Sequence, residues 1–252
     1  MPDGASVRRV RSLQVGGLTP LSATDYPGQF SAVVFCQGCP WRCGYCHNPH
    51  LLPSLAQTYL AWESVLAFLR RRRGLLDAVV FSGGEPTAQP GLADSVREAK
   101  ALGFRVGLHT AGPYPTRLAA LLPLLDWVGM DIKAPFSDYA AITKVANSGA
   151  RALASARAVI ASGIEHEFRT TVHPDQLSPG ALTRLAQDLS ALGAKRYVLQ
   201  EFRAQGCADE RLVARPSQSF LDDAFCPGRQ GRASHYCFNR RKQPCPGRKN
   251  PR

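Results

Sequence analysis

Six short apolar runs alternate along the chain with five helix-like stretches, and most of those stretches stop at a glycine. The runs fall at 31–35, 77–81, 104–108, 127–132, 166–172 and 196–202. Unbroken apolarity over about five residues marks a strand buried on both faces. The stretches between them, at 61–73, 91–102, 116–122, 149–162 and 178–192, read as helices. Gly74, Gly103, Gly163 and Gly193 follow four of them, where a left-handed residue ends a helix. Ser178 and Pro179 make an N-cap and N1 pair. Strand and helix alternating with short turns build a parallel sheet covered by helices, curved or closed. A full barrel takes eight such units; six predict an α/β fold with a partial (β/α)6 barrel. Residues 13–18 add a short strand ahead of the first unit, and 24–28 read as a turn. The expected organisation is a flexible N-terminus over 1–12, the barrel domain over 13–203, and a divergent basic tail over 204–252.

Bulk properties narrow the function classes. At 252 residues and 44% apolar content the chain can bury a full core. No run approaches eighteen apolar residues, and no apolar stretch follows Arg8, Arg9 and Arg11. Neither a membrane span nor a secretory signal is expected, which points to the cytoplasm. There thiols stay reduced, and clustered cysteines mean metal binding rather than disulfides. Residues 225–252 carry eight Lys or Arg and no acid, so two-thirds of the net charge of +12 sits in the tail. Basicity of that kind is weak ground for a nucleic-acid surface on the domain. Proline, glycine and basic residues dominate the tail from about 225, which predicts disorder. Cys207, Cys226, Cys237 and Cys245 are widely and irregularly spaced, which makes a zinc or second-cluster site with the nearby His235 the less favoured reading.

Chemistry concentrates just after the first apolar run. Four of the eight cysteines fall within 36–46, in Cys-Gln-Gly-Cys-Pro-Trp-Arg-Cys-Gly-Tyr-Cys. Pro40, Gly44 and Pro49 argue for an irregular loop rather than a helix. Structural zinc sites pair two Cys-x(2–4)-Cys knuckles across a longer spacer, and here there is one compact knot. Iron–sulfur clusters take closely spaced thiolates. Three cysteines on a 4Fe–4S cluster leave one iron open to another ligand. Cys36 ends the apolar run and reads as a buried small hydrophobe.

The string Cys-Pro-Trp-Arg-Cys-Gly-Tyr-Cys resembles the cluster motif of radical S-adenosylmethionine (SAM) enzymes. The following His-Asn-Pro, with the motifs below, resembles the activating enzymes of glycyl-radical enzymes, those of anaerobic ribonucleoside-triphosphate reductase above all. The resemblance covers about 13–203. It implies that Cys39, Cys43 and Cys46 hold a 4Fe–4S cluster, with SAM on the open iron and Tyr45 near its adenine.

Other candidate residues fall where strands end, the ligand-binding side of parallel α/β sheets. Ser82-Gly83-Gly84-Glu85-Pro86 offers two glycines for close backbone approach and a carboxylate that can accept from an ammonium. By resemblance it holds the amino group of SAM. His109-Thr110-Ala111-Gly112 stands where the family carries an Asp-Thr-Asn-Gly-like segment. Thr110 is a cofactor contact on that reading, and any role needing a carboxylate at 109 is in doubt. Asp131 and Lys133, two apart, leave a strand on one side. They can pair with each other or engage the zwitterionic end of SAM, and the resemblance favours the second. Arg169 in an apolar strand needs a partner, and the family places a cofactor-contacting basic residue near it. Gln200 is a weaker candidate for the same mouth, and His173 reads as structural.

The resemblance implies reductive cleavage of SAM to methionine and a 5′-deoxyadenosyl radical. That radical abstracts hydrogen from a glycine of a partner, anaerobic ribonucleotide reductase being the expected one. A flavodoxin or ferredoxin would supply the electron. Two alternatives stand beside this reading. One is a radical SAM enzyme for a small molecule, such as a modified-base precursor. The other is a nucleic-acid-associated zinc module using Cys36, Cys39, Cys43 and Cys46.

Overall fold

The computed structural model describes residues 12–55 and 60–215, and the backbone of residues 237–238. Strand β1 (Val15–Ser22) runs antiparallel to β2 (Ser31–Cys36). From β2 onward every neighbour is parallel: β3 (Ala78–Gly83), β4 (Arg105–Thr110), β5 (Trp127–Asp131), β6 (His166–Val172), β7 (Tyr197–Glu201) and the two-residue β8 (Cys237–Phe238). The strand order is the sequence order, and β1 and β8 are the two edges. The sheet is therefore a partial barrel, open on one side, as the six apolar runs predict.

Helices α1 (Trp62–Arg70), α2 (Leu92–Ala101), α3 (Pro115–Leu121), α5 (Ser148–Ser162) and α6 (Pro179–Ala191) are the crossovers, and the short α4 (Tyr139–Thr143) precedes α5. Helix α6 shows why they form. Ser178 accepts from the N–H of Ala181 at 3.2 Å, Pro179 supplies a fixed φ at N1, and Leu182, Leu185 and Leu189 bury one face. Gly193, at φ +86°, lies just beyond its end.

Strand residues alternate between two apolar layers. Ala32, Val34 and Cys36 pack with Val79, Phe81, Val106, Leu108, Val128 and Met130 under the helices. Val33, Ala78, Val80 and Trp127 face the barrel interior with Tyr26. The turn at 24–28 is more than a connection. It enters the barrel, where Tyr26 is 3% exposed and stacks on Trp127 at 5.2 Å. Room for this plug comes from glycines on the inner face: a Cβ on Gly107 would lie 3.1 Å from the Tyr26 ring. A Cβ on Gly129 would lie 2.6 Å from the Trp127 ring and 2.8 Å from the Arg169 guanidinium. We therefore expect Gly129→Ala to lower stability by about 1–3 kcal/mol, the usual cost of overpacking, as read from the urea midpoint.

Residues 204–215, the start of the segment assigned to the tail, pack against the domain. Helix α7 (Glu210–Ala214) returns to the cysteine loop, and Leu212 is 3% exposed within the main core. His173, wholly buried, points Nε2 at the carbonyls of Leu212 and Arg215, 3.1 and 3.0 Å away, while its Nδ1 accepts from the Asp175 N–H. These contacts tie 212–215 to the end of β6. Of the flexible N-terminus predicted over 1–12, residues 1–11 lie outside the described residues, as does the tail beyond 215 apart from the backbone of 237–238.

Candidate functional site

The cysteine loop leaves β2 and is pinned at its neck. Gly38 N–H donates to the Leu51 carbonyl at 2.8 Å and Cys39 N–H to that of Leu52 at 3.2 Å. Gln37, 2% exposed, reaches across with Nε2 to the carbonyls of His50 and Pro53. Between these points the thiols of Cys39, Cys43 and Cys46 are free, partly buried, and line one cavity of about 180 Å³. Cys36 is 0% exposed and shares the helix-covered face with Ala32 and Val34, because a period of two sends it there. Burial pushes the Cys39 thiol up to about 12 and the Cys43 thiol up as well. Among the described residues, no three histidine, cysteine or acidic side chains converge as ligands of a single ion. A cluster asks for something different, since each thiolate binds its own iron and the sulfurs stand apart around the cage. Three free thiols on one cavity wall fit that requirement better than a tetrahedral zinc site.

The remaining walls come from strand ends. Tyr45, Gly83, Gly84, Thr110, Asp131, Lys133 and Arg169 all line the cavity, as do Ser82, His109 and Thr171. Among the residues expected in the site, Glu85 is the one placed behind this wall. It is 0% exposed and its carboxylate is fully engaged. Oε1 accepts from the Thr87 N–H at 3.0 Å, from the Thr87 hydroxyl and from the Thr110 hydroxyl at 2.8 Å, and Oε2 accepts from the Ala111 N–H at 2.9 Å. Burial pushes its carboxyl up, and those donors offset only part of the rise. Gly83 and Gly84 make a close approach to the cysteine loop itself. Gly83 sits at φ +113°, and a Cβ there would lie 2.4 Å from the Cys36 nitrogen. A Cβ on Gly84 would lie 2.4 Å from the Gly38 carbonyl oxygen.

The cavity floor is charged, and its charges pair with one another. Asp131 receives Arg169 Nε at 3.0 Å and Nη2 at 2.9 Å, and the Lys133 ammonium lies 3.6 Å away. Burial opposes ionisation of Asp131, but the two cations outweigh it and hold the carboxyl below its usual range. Burial also works against the Lys133 charge, and Tyr45, Asp131 and Cys43 more than compensate. The Lys133 ammonium is 5.4 Å from the centre of the Tyr45 ring, within cation–π range. Tyr139 on α4 sets this lysine, its hydroxyl accepting from the Lys133 N–H at 3.0 Å.

His109 closes the floor from below. Its Nε2 lies 2.8 Å from the Asp25 carbonyl in the plug and 3.1 Å from Arg169, and its Nδ1 lies 3.3 Å from the Ser82 hydroxyl. Nε2 cannot serve both partners: with the proton there it donates to the Asp25 carbonyl and Nδ1 accepts from Ser82, and without it Nε2 accepts from Arg169 and Nδ1 donates to Ser82. Burial, then the Arg169 charge, lowers its pKa to about 4, so the ring is neutral. Gln200 is exposed and lies outside the cavity wall, although it pairs in register with Thr171.

Sequence reasoning missed Ser82 and Thr171 as cavity residues, Gln37 as a support of the cysteine loop and Tyr139 as a support of Lys133. Ser82 and Thr171 continue the inward alternation from Val80 and Arg169, a signal available only once the faces are assigned.

A parallel partial barrel with a three-thiol loop over the C-terminal ends of its strands defines a class of cofactor-dependent enzyme. Residues 33–177 match the model of the radical SAM superfamily, and the chain belongs to it. The sequence is 30% identical over 211 residues to a protein of Methanocaldococcus jannaschii provisionally named a glycyl-radical enzyme activating enzyme, covering 80% of this chain and 85% of that one. It is 36% identical over 130 residues to the pyruvate formate-lyase-activating enzyme of Clostridium pasteurianum, covering 50% and 52%. It is 33% identical over 195 residues to the PqqA peptide cyclase of Gluconobacter oxydans, covering 74% and 53%. The chain thus spans about half the length of the last two. Among solved structures, SuiB of Streptococcus suis bound to its precursor peptide SuiA superposes with a TM-score of 0.57 at 13% identity, over 76% of this chain and 45% of that one. That likeness speaks for the fold alone. Superfamily membership implies SAM and an iron–sulfur centre as cofactors. Among the described residues no helix is long and apolar enough to cross a membrane.

Proposed function

We propose that Cys39, Cys43 and Cys46 hold a 4Fe–4S cluster and that the enzyme acts on a polypeptide substrate, activating a glycyl-radical enzyme by hydrogen abstraction. The observation that carries the cofactor half is the single cavity shared by three free thiols and the Asp131–Lys133–Arg169 floor. Held by Cys39, Cys43 and Cys46, a cluster would supply the single electron needed for reductive cleavage of SAM. The protein's own part is binding, orientation and exclusion of water. Lys133 and Arg169 against one carboxylate leave a net positive floor, suited to an anionic group such as the carboxylate of SAM. Tyr45, 5% exposed on the loop, offers an aromatic face to adenine.

The polypeptide half rests on the names of the relatives, two called activating enzymes of glycyl-radical proteins and one a peptide cyclase. The open side of the barrel between β1 and β8 would admit such a substrate. Anaerobic ribonucleotide reductase remains our preferred partner on the motif resemblance alone, with a flavodoxin or ferredoxin as donor. A second reading, a radical SAM enzyme for a small molecule, is favoured by the cavity, whose volume of about 180 Å³ is modest. The test is anaerobic reconstitution, reduction with dithionite, and chromatography for 5′-deoxyadenosine. Product should vanish in Cys39→Ala, Cys43→Ala and Cys46→Ala and persist in Cys36→Ala. A glycyl-radical signal on an added partner would then support activation, whereas turnover without one would favour the small-molecule reading.

A further inference from the structure

Trp41, in the middle of the cysteine loop, is 1% exposed and lines the cavity with the three thiols. Its ring meets Tyr139 edge-on at 5.6 Å, and that packing accounts for its burial. Packing does not account for its indole N–H, which is buried with no hydrogen-bond partner among the described residues. A buried donor left unpaired costs roughly 1–3 kcal/mol, and this chain satisfies another indole readily: Trp62 Nε1 donates to Glu98 at 2.6 Å. Residue 41 also stands inside the ligand set in sequence, two positions after Cys39 and two before Cys43. An orphaned donor on a residue that lines the same cavity as the three thiols needs an acceptor, and a sulfur-rich group held there would supply one.

We propose that the indole N–H of Trp41 donates a hydrogen bond to a sulfur of the bound cluster and raises its reduction potential. The inference rests on the cluster reading above. A donor to sulfur withdraws electron density and favours the reduced, more negative state, one of the levers by which proteins set such potentials. Phenylalanine at 41 would keep the ring against Tyr139 and delete the donor. One lost hydrogen bond of ordinary strength changes the reduction equilibrium by up to about tenfold, which for one electron is 59 mV.

The experiment uses the full chain, reconstituted anaerobically with iron and sulfide to equal content in wild type and Trp41→Phe. An EPR-monitored redox titration should give a more negative midpoint in the variant. Pulsed EPR on wild-type protein grown with indole-15N tryptophan should show a 15N coupling to the reduced cluster, and this readout does not depend on the variant folding. Equal midpoints and no coupling, in protein that loads a cluster and cleaves SAM, would overturn the tryptophan's role and leave the cluster reading intact. Protein that takes up no reducible cluster would overturn both.

Discussion

Glu85→Gln is expected to lower the stability of the metal-free protein by about 2–4 kcal/mol, because it breaks a buried acceptor site that nothing else can fill. Four donors converge on this carboxylate, from Thr87, Thr110 and Ala111. An amide can accept on one side only. Its NH2 would face either the Ala111 N–H or the Thr87 N–H, donor against donor, and in the second case the two hydroxyls would also have to turn round to accept. The loop after β3 and the start of the loop after β4 would lose their shared anchor, and Thr110 and Gly83 would move with them. Urea unfolding of the cluster-free protein separates this from a cofactor role. If Glu85 served mainly to hold the amino group of SAM, the midpoint would stay put and only SAM binding would weaken.

This residue also shows where sequence reading stops. The Gly-Gly-Glu-Pro string was legible as a site motif, and its loop does border the cavity. Its glycines, however, approach the backbone of Cys36 and Gly38, and its carboxylate faces inward to its own hydroxyls. Spacing in a motif says which residues travel together, while the direction of a side chain depends on the neighbouring strand. The fold was more legible, because six apolar runs and glycine stops are local signals. What stayed hidden was non-local. Strands buried on both faces read as uniform apolarity, so Ser82 and Thr171 could not be told from the outer set, whereas the charges of Asp131 and Arg169 marked them as candidates. The plug at 24–28 looked like any turn, since only Gly107 and Gly129 on distant strands make room for it. Helices α4 and α7, at five residues each, are too short to show a period.

Between about pH 4 and 6.5 the stability of the metal-free protein should depend on His109, rising with pH. Its folded pKa is lowered from 6.5 to about 4, so within that window the unfolded chain binds the proton and the folded protein does not. Stability is therefore complete above the unfolded value and is lost as pH falls towards the folded one. The physical cause is visible around the ring. Burial comes first, then the Arg169 guanidinium 3.1 Å from Nε2, opposed by the carboxylates of Asp25 and Asp131. The full shift corresponds to roughly 3 kcal/mol as an upper bound. Glu85, whose pKa is raised, contributes with the opposite sign, and Asp131, whose pKa is lowered, loses its contribution at still lower pH. The informative quantity is thus the difference between wild type and His109→Gln, in which those two groups are common. Chemical denaturation at half-unit steps should show the variant's stability curve flatter than that of wild type by about 1–3 kcal/mol across the window. Parallel curves would mean that the imidazole is protonated in the fold, paired to Asp25 and Asp131 rather than held neutral against Arg169.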